Sequence, residues 1–94
     1  MEESKMDLAT ITILVTSRQT HSPELNKILS DNGHLIMSRL GVNVQPKCIQ
    51  DCVGLIVVVA KGHKDDIQKL NADIDAIDGI SSHLVLATQD FIFD

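Results

Sequence analysis

The chain is nearly empty of aromatic side chains: it has no Trp and no Tyr, and both of its Phe fall in the last four residues. A core must then be aliphatic, built from Ile, Leu, Val and Met. Proteins that hold single-stranded nucleic acid usually stack the bases on aromatic rings, so that class of partner is not expected. Basic residues are scarce as well, eight Lys and Arg against thirteen Asp and Glu, for a net charge of −5. No two basic residues are adjacent, and phosphate-backbone binding needs them clustered. Direct nucleic-acid binding is therefore not expected. No apolar run approaches the roughly 18 residues of a membrane span. The start, Met1-Glu2-Glu3-Ser4-Lys5-Met6-Asp7, is polar and acidic, unlike a secretory signal. No membrane partner is expected, and the cytoplasm is the default compartment. Cys48 and Cys52, the two cysteines, are then expected to be reduced.

What is there is aliphatic and periodic. Apolar residues make up 44% of 94 residues, enough for one domain with one core and no metal or disulfide staple. Residues 1–7 read as a disordered leader and 8–94 as a single domain. From Leu8 to Ser17, Ala9, Ile11, Ile13 and Val15 alternate with Leu8, Thr10, Thr12, Leu14 and Thr16, which is a strand with an aliphatic and a Thr-rich face. Ser22-Pro23-Glu24 reads as a helix start, with a capping Ser, Pro at the first helical position and Glu at the positive end of the dipole. Leu25, Ile28 and Leu29 form its stripe, and Asn32-Gly33 is a left-handed stop. A second strand is expected over 34–44, with Gly41 as a kink or bulge, and a third over 53–60, apolar on both faces like a central strand. Ile67, Leu70, Ile74 and Ile77 predict a helix over 64–78, closed by Gly79. The last strand is expected over 80–89, with Phe91 and Phe93 free to pack beyond it.

Strand, helix, strand, strand, helix, strand in so short a chain implies an α+β ferredoxin-like βαββαβ sandwich, two helices on one face of a four-stranded antiparallel sheet. Its other face then has no cover within the chain. Thr10, Thr12, Leu14, Ile56, Val58, Val85 and Ala87 are expected there. Open, that set would make a larger apolar patch than soluble monomers usually carry. A homo-oligomer, dimer or tetramer, is expected through this face or the sheet edges.

Groups with chemistry are few. Cys48 and Cys52 are too widely spaced for a redox Cys-X-X-Cys pair, and a zinc site needs four ligands; His63 and His83 are the nearest partners for a metal-binding alternative. The default expectation is no metal and no cofactor. No Ser-His-Asp or paired-carboxylate arrangement can be assembled, so no catalytic residue is named, and an enzyme ranks behind a regulatory and a metal-binding module. Arg18, in the loop after the first strand, and Arg39, inside the apolar second strand, can each grip a carboxylate with two prongs.

The segments Thr10 to Thr16, Gly33 to Gly41 and Val53 to Gly62 together resemble the iron-only hydrogenase system regulators, stand-alone ACT-like domains, over about residues 8–89. The resemblance implies a βαββαβ fold, assembly by sheet pairing and a non-enzymatic regulatory role in hydrogenase systems. In oligomeric ACT-like domains a ligand commonly sits between protomers near the loop after the first strand. That implies a small anion held by Ser17, Arg18, Thr20 and His21, with Arg39 as a further contact and His21 making affinity pH-sensitive. ACT domains that bind amino acids usually carry Gly in that loop, where this chain has Ser17-Arg18-Gln19-Thr20-His21. The segments Asp51-Cys52, Lys61-Gly62 and Ser82-His83-Leu84 are more distantly similar to the ligand-binding domain of the nickel-responsive repressor. That domain binds metal through strand histidines and a cysteine; here 37–44 contains no histidine.

Overall fold

Ala9, Ile11, Ile13 and Val15 are all buried while their neighbours are partly or fully exposed. The alternation seen in the sequence is thus the dry and wet faces of β1 (Asp7–Val15). The computed structural model describes residues 6–88. After β1 follow α1 (Arg18–Asp31), a 3-10 turn (Gly33–Leu35), β2 (Ile36–Val42), β3 (Gly54–Gly62), α2 (Lys64–Asp75) and β4 (Ile80–Leu86). The strands form one sheet in the order β2-β3-β1-β4, every neighbouring pair antiparallel. This is the expected α+β ferredoxin-like arrangement, with β1 and β3 central. Residues 1–5 of the expected leader, and Phe91 and Phe93, lie outside the described residues.

The core between sheet and helices is aliphatic: Ile11, Ile13 and Val15 from β1 meet Leu25 and Leu29 from α1 and Leu70 and Ile74 from α2. Each such side chain contributes roughly 1.5–3 kcal/mol on burial. The α2 stripe falls as expected, although the helix ends at Asp75 and Ile77 is buried in the turn that follows. Gly79 closes that turn at φ 77, a left-handed conformation open to Gly at little cost. α2 is tied to β4 by the Ser82 amide, which donates to Asp75 Oδ1 at 2.9 Å, and by the Ser82 hydroxyl, which donates to Asn71.

Four expectations need correction. First, α1 starts at Arg18, not at Ser22, so Pro23 lies inside it. The first turn is fixed at its start by a distant contact, the Arg18 amide donating to the Cys52 carbonyl at 2.9 Å, and locally by the Thr20 amide, which donates to the carbonyl of the N-cap Ser17 at 2.8 Å. Second, Asn32 ends α1 at φ −114, not in the left-handed region; its side-chain amide donates to the Ile28 carbonyl at 2.8 Å and satisfies a terminal acceptor instead. Third, the irregularity in β2 falls between Ile36 and Ser38, whereas Gly41 pairs in register with Ile56.

The fourth correction is the parity of β3. Val58 opposes Ile11 and Ile56 opposes Ile13, so both face the helices, and Val58 is fully buried. The open face carries Leu55, Val57 and Val59 in their place, opposite Leu14, Thr12 and Thr10. With an aliphatic residue at every position from Leu55 to Ala60, β3 has no polar alternation to mark its dry side, and a shift of one residue exchanges the faces.

Candidate functional site

Arg18, Ser22 and Asn26 recur at a spacing of four, which places them on one face of α1. β2 and the residue after it present Arg39, Gly41, Val42 and Asn43, and β3 adds Gly54, Leu55 and Ile56. Together with Val15 these residues enclose a cleft of about 320 Å³ between α1 and the β2 end of the sheet. Arg39 is in register with Val58, hence on the helix side, and its guanidinium donates to Asn26 Oδ1 at 3.2 Å. Arg18 packs beside Gly54, its Cδ 3.7 Å from where a Cβ would stand.

The cleft therefore holds two guanidinium groups, one hydroxyl and two carboxamides, and none of its lining side chains is acidic. Neither arginine has a carboxylate partner among the described residues. Planar guanidinium forks match carboxylate and phosphate oxygens in pairs. No histidine, cysteine or acid lies in the lining to move a proton or attack a bond, so the arrangement is suited to holding an anion.

Of the residues named from sequence, Arg18 and Arg39 meet in this cleft. Ser17 does not line it; it precedes α1 in a left-handed conformation, φ 45, with its hydroxyl donating to Asp51 Oδ1 at 3.4 Å. Thr20 and His21 do not line it. The His21 ring packs against Gly79, at the turn before β4. Ser22, Asn26 and Asn43 were missed. The i, i+4, i+8 spacing from Arg18 is visible in the sequence, but only once the helix is started at Arg18.

Cys48 and Cys52 are joined in a disulfide, with Cα atoms 5.7 Å apart, within the usual span for such a bond. This corrects the expectation of two reduced thiols. His63 stands at the N-cap of α2, beyond the far end of β3 from Cys52; a strand of that length spans roughly 30 Å. His83 is on β4, paired with Thr12 on the open face. The four residues of the metal-binding alternative are thus not brought together, and no group of three metal-ligating side chains occurs among the described residues.

The open face of the sheet is the other feature with a functional bearing. Thr10, Thr12 and Leu14 run down its middle, flanked by Val57 and Val59, with Leu40 and Val42 to one side and Val85 to the other. Leu40 is 62% and Val85 61% exposed. No helix among the described residues is long and apolar enough to cross a membrane.

No curated protein matches the chain. Among solved structures it is similar to the uncharacterized protein TM1266 from Thermotoga maritima, with a TM-score of 0.79 at 23% identity over 89% of this chain and 100% of that one. At that identity the likeness speaks for the fold, and it agrees with the βαββαβ sandwich described above. The apo form of LarC2, the C-terminal domain of a cyclometallase involved in the synthesis of the NPN cofactor of lactate racemase, gives a TM-score of only 0.43 at 14% identity over 89% of this chain and 58% of that one. That likeness is too slight to carry an argument. A family model matches residues 7–83, and the chain belongs to that family, TM1266-like, described as "Iron-only hydrogenase system regulator, putative".

Proposed function

We propose that this domain is a non-enzymatic regulatory module of a hydrogenase system, working as a homo-oligomer and sensing a small anion, a carboxylate or a similar oxyanion, in the cleft between α1 and β2. The observation that carries the reading is the meeting of Arg18 and Arg39 in one acid-free cleft of a protein whose net charge is −5. Against that acidic background, two arginines without carboxylate partners among the described residues form a localised positive site where an anion gains most. Assembly is supported by the open sheet face, whose apolar side chains Leu14, Leu40, Val42 and Val85 are exposed in the single chain.

Ligand-detected NMR and titration calorimetry with a panel of mono- and dicarboxylates, amino acids and inorganic phosphate test the site. Binding should be lost or weakened by about tenfold or more in Arg18→Ala and Arg39→Ala, the loss of one charged hydrogen-bonded contact. His21→Ala should leave affinity within about twofold, because His21 lies outside the lining. Anions that bind with equal strength to the Arg18→Ala protein would sink the assignment.

A further inference from the structure

The disulfide loop is built onto the start of α1. The Arg18 amide donates to the Cys52 carbonyl at 2.9 Å. The Gln19 side-chain amide reaches both the Ile49 carbonyl, at 3.3 Å, and Cys52 Sγ, at 3.4 Å. Ser17 and Asp51, hydrogen-bonded to each other, are the two non-glycine residues with positive φ among the described residues, 45 and 55. Cys52 is buried at 1% exposure, whereas Cys48 is only half-buried and its neighbours Lys47, Ile49 and Gln50 are exposed. The two sulfurs thus differ: Cys48 is open to attack and Cys52 is anchored.

We propose that Cys48–Cys52 is a reversible thiol–disulfide site whose reactants are small thiols and small disulfides, and that opening it loosens the loop that holds the start of α1. An external thiolate attacks Cys48 Sγ; the Cys48–Cys52 bond breaks and its electron pair leaves on Cys52 Sγ. The Gln19 amide that already donates to that sulfur stabilises the thiolate, and a stabilised leaving group speeds exchange. A second thiolate attacks the external sulfur of the mixed disulfide and releases Cys48 as a thiolate. In sum two small thiols become one small disulfide, and the protein disulfide takes two electrons and two protons. Oxidation by a small disulfide is the reverse. Once opened, Cys52 keeps its place through the Arg18 hydrogen bond and its burial. Residues 45–51, exposed apart from half-buried Cys48, lose the cross-link that ties them to Cys52. The site does not depend on anion binding, and the Cys48→Ser arm of its test uses no carboxylate reagent.

The folded protein is equilibrated in buffers of varied glutathione to glutathione-disulfide ratio, quenched in acid, alkylated after unfolding and weighed by mass spectrometry. Two labels should appear together across one midpoint and disappear again on reoxidation. Hydrogen exchange of the reduced protein should quicken by about tenfold or more in residues 16–20 and 45–52 and stay unchanged in α2 and β1. Cys48→Ser should give the same exchange pattern without any reductant, which separates loop release from a side effect of the thiol. Gln19→Leu should slow reduction by about threefold or more, as expected for a poorer leaving group. Reduction that requires denaturant, exchange that quickens throughout the molecule, or a reduction rate unaltered in Gln19→Leu each overturns the proposal.

Discussion

Val57 and Val58 are adjacent and chemically identical, yet they stand on opposite faces of β3. Val58 packs against Ile11 under the helices and is fully buried; Val57 opposes Thr12 on the open face and is half-exposed. Glutamate at 58 would place a carboxylate in an aliphatic core with no partner, which costs about 4 kcal/mol or more. At 57 the same carboxylate reaches water, and the protomer should lose only about 1 kcal/mol. Urea unfolding followed by circular dichroism should leave Val57→Glu cooperative and Val58→Glu largely unfolded at 25 °C; the reverse order would return Val58 to the open face. The parity had a signal in the sequence, though not a polar one. Gly54, Ala60 and Gly62 share it with Val58 and are buried. Small residues at alternate positions mark where other elements approach the strand closely, as Leu35 does over Gly62. The disulfide had a fainter one, two cysteines in a loop between paired strands, which composition alone reads as reduced.

α2 and α1 differ in how far local sequence decides them. α2 has acidic Asp65 and Asp66 in its first turn and a regular buried stripe, so dipole, pattern and packing agree and its start was legible to the residue. α1 has the stronger start signal in Ser22-Pro23-Glu24, yet the helix begins at Arg18, because the Cys52 carbonyl and the loop before β3 capture its first amide. That capture is a contact between distant parts of the chain, invisible to a local reading, and it is also what aligns Arg18 with Ser22 and Asn26. Pro23 within α1 removes the donor that would reach the Gln19 carbonyl, a cost of up to about 3 kcal/mol in a helix interior. Proline also stiffens the unfolded chain, which offsets roughly 1 kcal/mol. Pro23→Ala should therefore stabilise the protein by about 1–2 kcal/mol, measured as a higher urea midpoint at unchanged slope. Were Pro23 at the first helical position, the same change would be neutral or destabilising.

For the whole molecule the decisive quantity is the uncovered sheet face. Fold class and the presence of that face followed from element order, because two helices can cover only one side of a four-stranded sheet. What the face is for depends on which side chains it carries. Leu40 and Val85 lie near opposite edges, on β2 and β4, and both are mostly exposed in the single chain. In a protomer left alone, changing them should alter stability by no more than about 0.5 kcal/mol. In an assembly buried through this face, where roughly 800 Å² per partner is ordinary, each would lie at the interface and a charge there would repel its copy across a symmetric contact. Leu40→Glu with Val85→Glu should thus convert the protein from dimer or tetramer to monomer in sedimentation equilibrium at micromolar concentration. The far-ultraviolet circular dichroism should stay unchanged. If the unaltered protein already sediments as a monomer, assembly through the open face is refuted. If the double variant remains assembled, the contact runs through the strand edges, where backbone pairing tolerates a change of side chain.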